Sequence, residues 1–329
     1  MTQFLSGLAG LRQVPAGTIL SVGNFDGLHR GHSRLLHLAN SLKREHGASG
    51  VTVVTFEPHP LTVLRPELAP PRLTPPALKQ SLLSTAGVDY LVTLPPGPEV
   101  LNLTANAFWQ ILRDEVRPAH MIEGRSFTFG KARGGNIDKL RDWTAGSSVR
   151  LDILDPVSVP LLNLQIVPVS SSLIRWLLSH GRVRDAAICL GRPYVLEGVV
   201  VKGNQRGRTI GVPTANVRCD DQLIPADGVY AGRVMLDGIA YKSAISIGTM
   251  PTFGENNRQV EAHLLGFNGD LYDRMIRVEL LDWVRDQQKY SGIDALKAQL
   301  ARDINQISDR HRHAEAEPIA HSQPLAAET

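Results

Sequence analysis

Only two of the 329 residues are cysteine, Cys189 and Cys219, and they do not form a CxxC pair. Isolated thiols argue against a structural zinc site and for a reducing, cytoplasmic setting. Long apolar runs are also missing. Nothing approaches the ~18 uninterrupted apolar residues of a membrane span. Met1 to Val14 lacks a charged start, a long apolar stretch and a small-residue cleavage site, so no secretory signal is expected. Charge of one sign is scarce too: the formal net charge is +3, mildly basic. Such a balance fits phosphorylated small molecules and nucleic acid alike. The basic residues are scattered, and no aromatic stacking platform is evident, which counts against a nucleic-acid binder. There is no internal repeat. What remains, 43% hydrophobic and 20% charged residues, is the composition of a globular protein long enough for two domains.

From Thr18 to about Cys189, apolar runs alternate with helical patterns. Val51 to Phe56 and Val88 to Leu94 read as strands covered on both faces. Leu35, Leu38, Ala39 and Leu42 share one helix face that Gly47 is placed to end, and Thr104 suits the cap of a helix over Ala105–Val116. Repeated β–α–β units predict an open, doubly wound α/β sheet with ligands at the carboxyl ends of its strands. Seven prolines between Glu57 and Pro76 predict a long loop without regular structure, either a stiff connector or a cover for substrate. After Leu190 short β-rich runs separated by Asp-Gly turns predict an antiparallel barrel, closed by a helix from Gly292 to about Ile307. The expected domains are therefore residues 1–189 and 190–310, followed by a disordered tail, 311–329. His311, His313 and His321 in that tail are too sparse to carry a metal site.

Two segments carry chemistry. Gly23-Asn24-Phe25-Asp26-Gly27-Leu28-His29-Arg30-Gly31-His32 joins a strand-like run to a helix-like run. Gly23 and Gly31 permit close approach of a ligand, and His29 and His32 share one side of the first helical turn. With the helix N-terminus, the segment suits nucleotide phosphates. Asn24, Phe25 and Asp26 either shape that loop or touch nucleotide. Ser170, Ser171 and Ser172 open another helix, as caps or phosphate ligands, with Arg175 one turn inside. Lys131 and Arg133 are either solvated loop charges or further phosphate contacts. Farther along, Gly203, Arg206, Gly207 and Gly211 make a cationic loop before Pro213-Thr214-Ala215-Asn216. In extended chain, Thr214 and Asn216 face the same way, so both oxygens reach one cation. Two neutral ligands leave phosphate oxygens to complete a Mg²⁺ shell. Glu261, flanked by Val260 and Ala262, stands on the polar face of a strand; His263 shares that face without an assigned role.

These motifs, in this order from about Thr18 to Ile307, resemble the bifunctional riboflavin kinase/FMN adenylyltransferase family. Gly23 to His32 is similar to its GxFDGxHxGH motif, Thr55 to Pro60 to its flavin-side strand end, Phe127 to Gly135 to its FxFGxxRxG segment, and Ser170 to Arg175 to its SS(T/S)xxR helix start. Lys202 to Asn216 resembles the kinase module's G(F)PTAN element with Val212 in place of Phe, and Ser246 to Gly254 its (N/S)IGxxPTFG turn. The family's acidic residue before FxFG is Ser126 here, and Asp273 stands where Gly is usual. The resemblance implies a Rossmann-like nucleotidyltransferase domain and a Greek-key barrel. It also implies two reactions: riboflavin to FMN, then FMN to FAD, with ATP as co-substrate and Mg²⁺ in both. His29, His32, Arg175 and Glu261 would be catalytic, Thr214 and Asn216 would hold metal, and Glu57, Pro58, Pro60, Phe127 and Arg285 would contact flavin. No nucleic-acid or membrane partner is implied, and oligomeric state is not legible. Two competing classes are an RNA-binding protein on the same fold, and a flavin or nucleotide sensor with one live module or none.

Overall fold

The computed structural model describes residues 1–203, 212–249, 258–288, 294–295, 298–299 and 301–307. Contacts divide the chain into two compact units, Met1–Val159 with Ile166–Ser171, and Pro160–Gln165 with the rest from Ser172 onward.

The first unit is built on six parallel strands, β1 (Gln3–Ser6), β2 (Ile19–Val22), β3 (Val51–Phe56), β4 (Tyr90–Leu94), β5 (His120–Gly124) and β6 (Arg150–Leu154). Their spatial order is β1-β4-β3-β2-β5-β6. The strands are apolar on both sides because helices cover both: one core gathers Val22, Val54, Val92 and Met121, the other Ile19, Val53, Leu91 and Ile122. Between them run α1 (Arg30–His46), α2 (Pro76–Thr85), α3 (Ala105–Ile111) and α4 (Ile137–Ala145). Gly47 ends α1 in the left-handed region at φ 63°, and Thr104 Oγ1 accepts from the Ala107 amide at 3.1 Å, as expected from sequence. The helix after Thr104 turns π-helical over Leu112–Val116. The proline-rich loop is less irregular than its composition suggests. It holds a helical turn at Leu61–Leu64 and a 3₁₀ turn at Pro66–Leu68, with Pro60 and Pro66 at starting positions that need no amide donor.

The second unit begins with α5 (Ser171–Ser179), whose first residue clusters with the sheet, and α6 (Val183–Leu190). A closed barrel follows, formed by β7 (Tyr194–Val201), β8 (Ala215–Arg218), β9 (Gly228–Leu236), β10 (Ile239–Thr249), β11 (Arg258–Leu264) and β12 (Met275–Arg285). Its order is β7-β8-β11-β10-β9-β12, and every pairing is antiparallel. Alternation along β7 and β11 sends Leu196, Val200, Val260 and Ala262 inward. Asp237 and Gly238, both at positive φ, make the tight β9–β10 turn. Residues 301–307 are helical, with Ile307 buried, while part of the expected closing helix and all of the tail lie outside the described residues.

Candidate functional site

At the carboxyl ends of the parallel strands, wholly within the first unit, lies a cavity of about 1170 Å³. That exceeds the ~300–1,000 Å³ usual for one small ligand and leaves room for two. The segment after β2 forms its floor. Phe25 and Leu28 adopt positive φ, 47° and 39°, without being glycine, and both are buried. Such backbone persists only where surroundings over-determine it. Asp26 supplies that constraint: its carboxylate accepts from the amides of Leu73 at 3.1 Å and Thr74 at 3.0 Å. The Gly27 amide donates to Thr74 Oγ1 at 3.0 Å, and Ser171 Oγ donates to the Asp26 carbonyl at 2.7 Å.

This bracing delivers the chain into α1 with His29 as its N-cap residue. The rings of His29 and His32 stack at 3.8 Å between centroids, 17° from parallel, and Phe25 lies 4.9 Å from His32. Gly31 leaves space for this stack, since a Cβ would stand 3.1 Å from the His29 ring and the ring would have to shift by a few tenths of an ångström. No carboxylate occupies the first turn of α1 and no side chain caps it, so the positive end of the helix faces the cavity beside two imidazoles. Gly23, Asn24, Asp26, Ser170 and Ser171 line the same cavity. Asn24 Oδ1 is buried and accepts no hydrogen bond. Arg175 lies one turn further along α5, in the part of the chain that clusters with the second unit, as does Ser172.

Among the residues expected to meet flavin, Pro60 and Phe127 line the cavity, together with Phe56, His59 and Leu61. Phe127 stacks on Phe129 at 5.1 Å, and Trp143 meets Phe129 edge-on. Glu57 and Pro58 are not part of the lining. The Glu57 carboxylate is engaged by Arg72 and, at 2.9 Å, by Lys79. Sequence reading missed Glu123. It is 2% exposed, lines the cavity, and accepts from the Val22 amide at 2.7 Å. Burial pushes its carboxyl well above the usual carboxylate range. The only signal was a charge in the apolar run His120-Met121-Ile122 that ends at Gly124.

The second constellation sits on the outward face of the barrel. Asn216 on β8 and Glu261 on β11 are direct cross-strand partners, and Ser246 on β10 is the next residue in the row. Cross-strand partners share a face, so amide and carboxyl are neighbours. Gly203 packs against the Asn216 side chain so closely that any Cβ would collide with it. The imidazole Nδ1 of His263 donates to the Pro213 carbonyl at 2.7 Å, tethering the residue before Thr214. Burial raises the Glu261 carboxyl above its ordinary value, which makes it a better proton acceptor. Arg285 forms a forked ion pair with Asp303 at 2.7–3.2 Å, and Asp303 is buried. Its guanidinium therefore serves the barrel's closing helix. Arg206, Gly207 and Gly211 lie outside the described residues.

Fold and site together define a two-module transferase, with an uncapped helix terminus beside two imidazoles on a parallel sheet and a carboxyl–amide pair on a closed barrel. The description "FAD synthetase" fits residues 11–172, and "riboflavin kinase" fits residues 190–311. The bifunctional riboflavin kinase/FMN adenylyltransferase of Escherichia coli K12 is 37% identical over 92% of this chain and 95% of its own. That of Bacillus subtilis is 32% identical over 89% and 92%. A solved structure, a macrolide-efflux protein from Streptococcus pneumoniae, matches with a TM-score of 0.83 at 30% identity, covering 94% of this chain and 99% of that one. No helix among the described residues is long and apolar enough to cross a membrane. The chain belongs to the bifunctional riboflavin kinase/FMN adenylyltransferase family.

Proposed function

We propose that this chain phosphorylates riboflavin with ATP to FMN in its barrel, and adenylylates FMN with a second ATP to FAD in its sheet unit. The observation that carries this reading is the pair of separate constellations, stacked imidazoles at the start of α1 and the Asn216–Glu261 pair on the barrel. The assigned setting is cytoplasmic, consistent with two free cysteines.

In adenylyl transfer a phosphate oxygen of FMN attacks the α-phosphorus of ATP, and the bond to the β-phosphate oxygen breaks. The nucleophile is already an anion, so no base is needed. His29, His32 and the α1 terminus stabilise charge moving onto the departing pyrophosphate. Phe56 and Phe127 supply apolar surface for the isoalloxazine ring. In the kinase reaction the ribityl 5′-oxygen attacks the γ-phosphorus, its proton passes to Glu261, and ADP departs.

The neutral oxygens of Thr214 and Asn216, whose side-chain amide sits where Gly203 lacks a Cβ, fit a Mg²⁺ that arrives with nucleotide phosphates. When bound, the ion would neutralise charge on the transferring phosphoryl group. The chain's own task there is to hold those two oxygens in register with Glu261, helped by the tether from His263 to Pro213.

Incubation of the purified protein with riboflavin, ATP and Mg²⁺, followed by chromatography of the flavins, tests both activities. Glu261→Gln should lower FMN formation by about 10²–10⁴-fold and leave FMN-to-FAD conversion intact. His29→Ala with His32→Ala should do the reverse. Loss of both activities in either protein contradicts separate sites.

A further inference from the structure

β2 and β5 pair only at Ile19–His120 and Leu20–Met121, then part. The Glu123 carboxyl fills the gap that opens: Oε1 accepts the Val22 amide, a donor that β5 would otherwise have taken. Oε2 makes no hydrogen bond to any described residue. Its immediate strand neighbours are uncharged: Ser21 and Val22 lie on β2 and Ile153 is its register partner on β6, whose charged residues, Arg150 and Asp152, pair in register with His120 and Ile122. His29 and His32 on α1, Asp26 in the loop before it, and the Arg125–Asp155 pair line the same cavity. Two further polar atoms of the cavity lining, Ser21 Oγ and Asn24 Oδ1, are buried without a hydrogen bond to any described residue. Unsatisfied polar groups gathered at one end of a cavity mark a place where a ligand completes the hydrogen bonding. With 2% exposure, Glu123 is the most deeply buried carboxyl there, and burial favours its protonated form.

A protonated carboxyl presents one acceptor and one donor side by side. We propose that Glu123 reads the edge of a flat heteroaromatic ring bound in this cavity, accepting from an N–H on that edge, in the ring or on an amino substituent, through Oε1 and donating from Oε2. The inference rests on the adenylyltransferase reading and names what that site recognises. Two rings in the reaction carry such an edge: adenine, with its 6-amino group beside N1, and the pyrimidine edge of the flavin, with N3–H beside O4.

Equilibrium titration of the full chain with ATP and with FMN, each alone, tests this in Glu123→Gln and Glu123→Leu. Gln keeps a donor and an acceptor, so its affinities should stay within about threefold of wild type. Leu keeps the volume without either, and one ligand should weaken roughly tenfold or more. If that ligand is ATP, wild type should prefer it over the triphosphate of purine riboside, which lacks the amino group, and the Leu protein should lose the preference. If it is FMN, ATP binding stays unchanged and the flavin is the ring that is read. Wild-type affinities for both ligands in the Leu protein overturn the proposal. So does an equal loss in Gln and Leu, because Gln keeps both the acceptor and the donor that the proposal invokes. Glu123→Met serves if the Leu protein does not fold. A wild-type chain that binds neither ATP nor FMN overturns the adenylyltransferase reading itself, and this proposal with it.

Discussion

Replacing Asp26 by Ala tests whether the loop before α1 is held by its carboxylate. That group is 7% exposed and accepts from two amides whose residues, Leu73 and Thr74, are each 1% exposed. Ala removes the acceptor and strands both donors away from water. Each stranded donor costs about 1–3 kcal/mol, so the pair costs about 2–6 kcal/mol. A central value of about 4 kcal/mol is a large share of the 5–15 kcal/mol that stabilises a typical domain. For a unit of this size it lowers the melting temperature by about 8–16 °C. Asp26→Asn retains one acceptor oxygen and should fall between the two. Loss of the brace also lets Phe25 and Leu28 leave their positive-φ conformations, so His29 and His32 lose their placement. Adenylyl transfer should then fall in kcat/KM while kinase activity of the same protein is unchanged. Thermal unfolding followed by tryptophan fluorescence, with the two activities assayed on each protein, is sufficient. A destabilisation below about 1 kcal/mol with unimpaired adenylyl transfer would refute the bracing argument.

Two other outcomes are expected. Arg285→Leu leaves Asp303 buried with its ion pair broken and should cost about 3–5 kcal/mol in urea unfolding, whereas combining it with Asp303→Asn removes the stranded charge and should recover part of the loss. Glu123→Gln should change how stability depends on pH. Folded, Glu123 keeps a proton that the unfolded chain releases above about pH 4.3, so wild-type stability is lost as pH rises from there. Gln does not titrate, and its advantage over wild type should grow with pH by at most about 1.4 kcal/mol per unit. The difference cancels the other groups of the cavity, His29, His32, Asp26, Arg125 and Asp155, which are common to both proteins. An advantage that shrinks as pH rises would mean the carboxyl is held ionised instead.

What the sequence revealed was whatever repeats locally or is punctuated. The strands at Val51 and Val88, the stop at Gly47, the cap at Thr104 and the Asp237-Gly238 turn all follow from residues within a few positions of one another. β1, by contrast, is a four-residue edge strand with one buried side chain, too short for any period to register. β8 is equally brief, and its strand character comes from pairing with β7 and β11 rather than from Ala215 to Arg218 themselves. Side-chain roles set by distant partners were the least legible. Glu57 is claimed by Arg72 and Lys79, Arg285 by Asp303, and Asp26 by amides 47 and 48 residues away. Each is a charged residue next to a recognisable motif: the family resemblance gives Glu57 and Arg285 to flavin, and the sequence leaves Asp26 between shaping its loop and touching nucleotide. Only the fold shows which charges are already spent on the protein.

The neighbour of Glu261 explains why the second constellation pairs a carboxyl with an amide instead of with another acid. Asn216 stands directly across from Glu261, where like charges would repel. An aspartate there would hold a cation more strongly, but it would also push the already raised Glu261 further up and keep its proton on. A lysine or arginine there would do the opposite, stabilising the carboxylate until it is a feeble base. On the proposed reading, a neutral amide would offer an oxygen to a metal–nucleotide complex and leave the basicity of Glu261 to burial alone. The imidazole site has no such constraint, because its nucleophile brings its own negative charge. Cationic and neutral donors can therefore crowd the start of α1 without blunting any base.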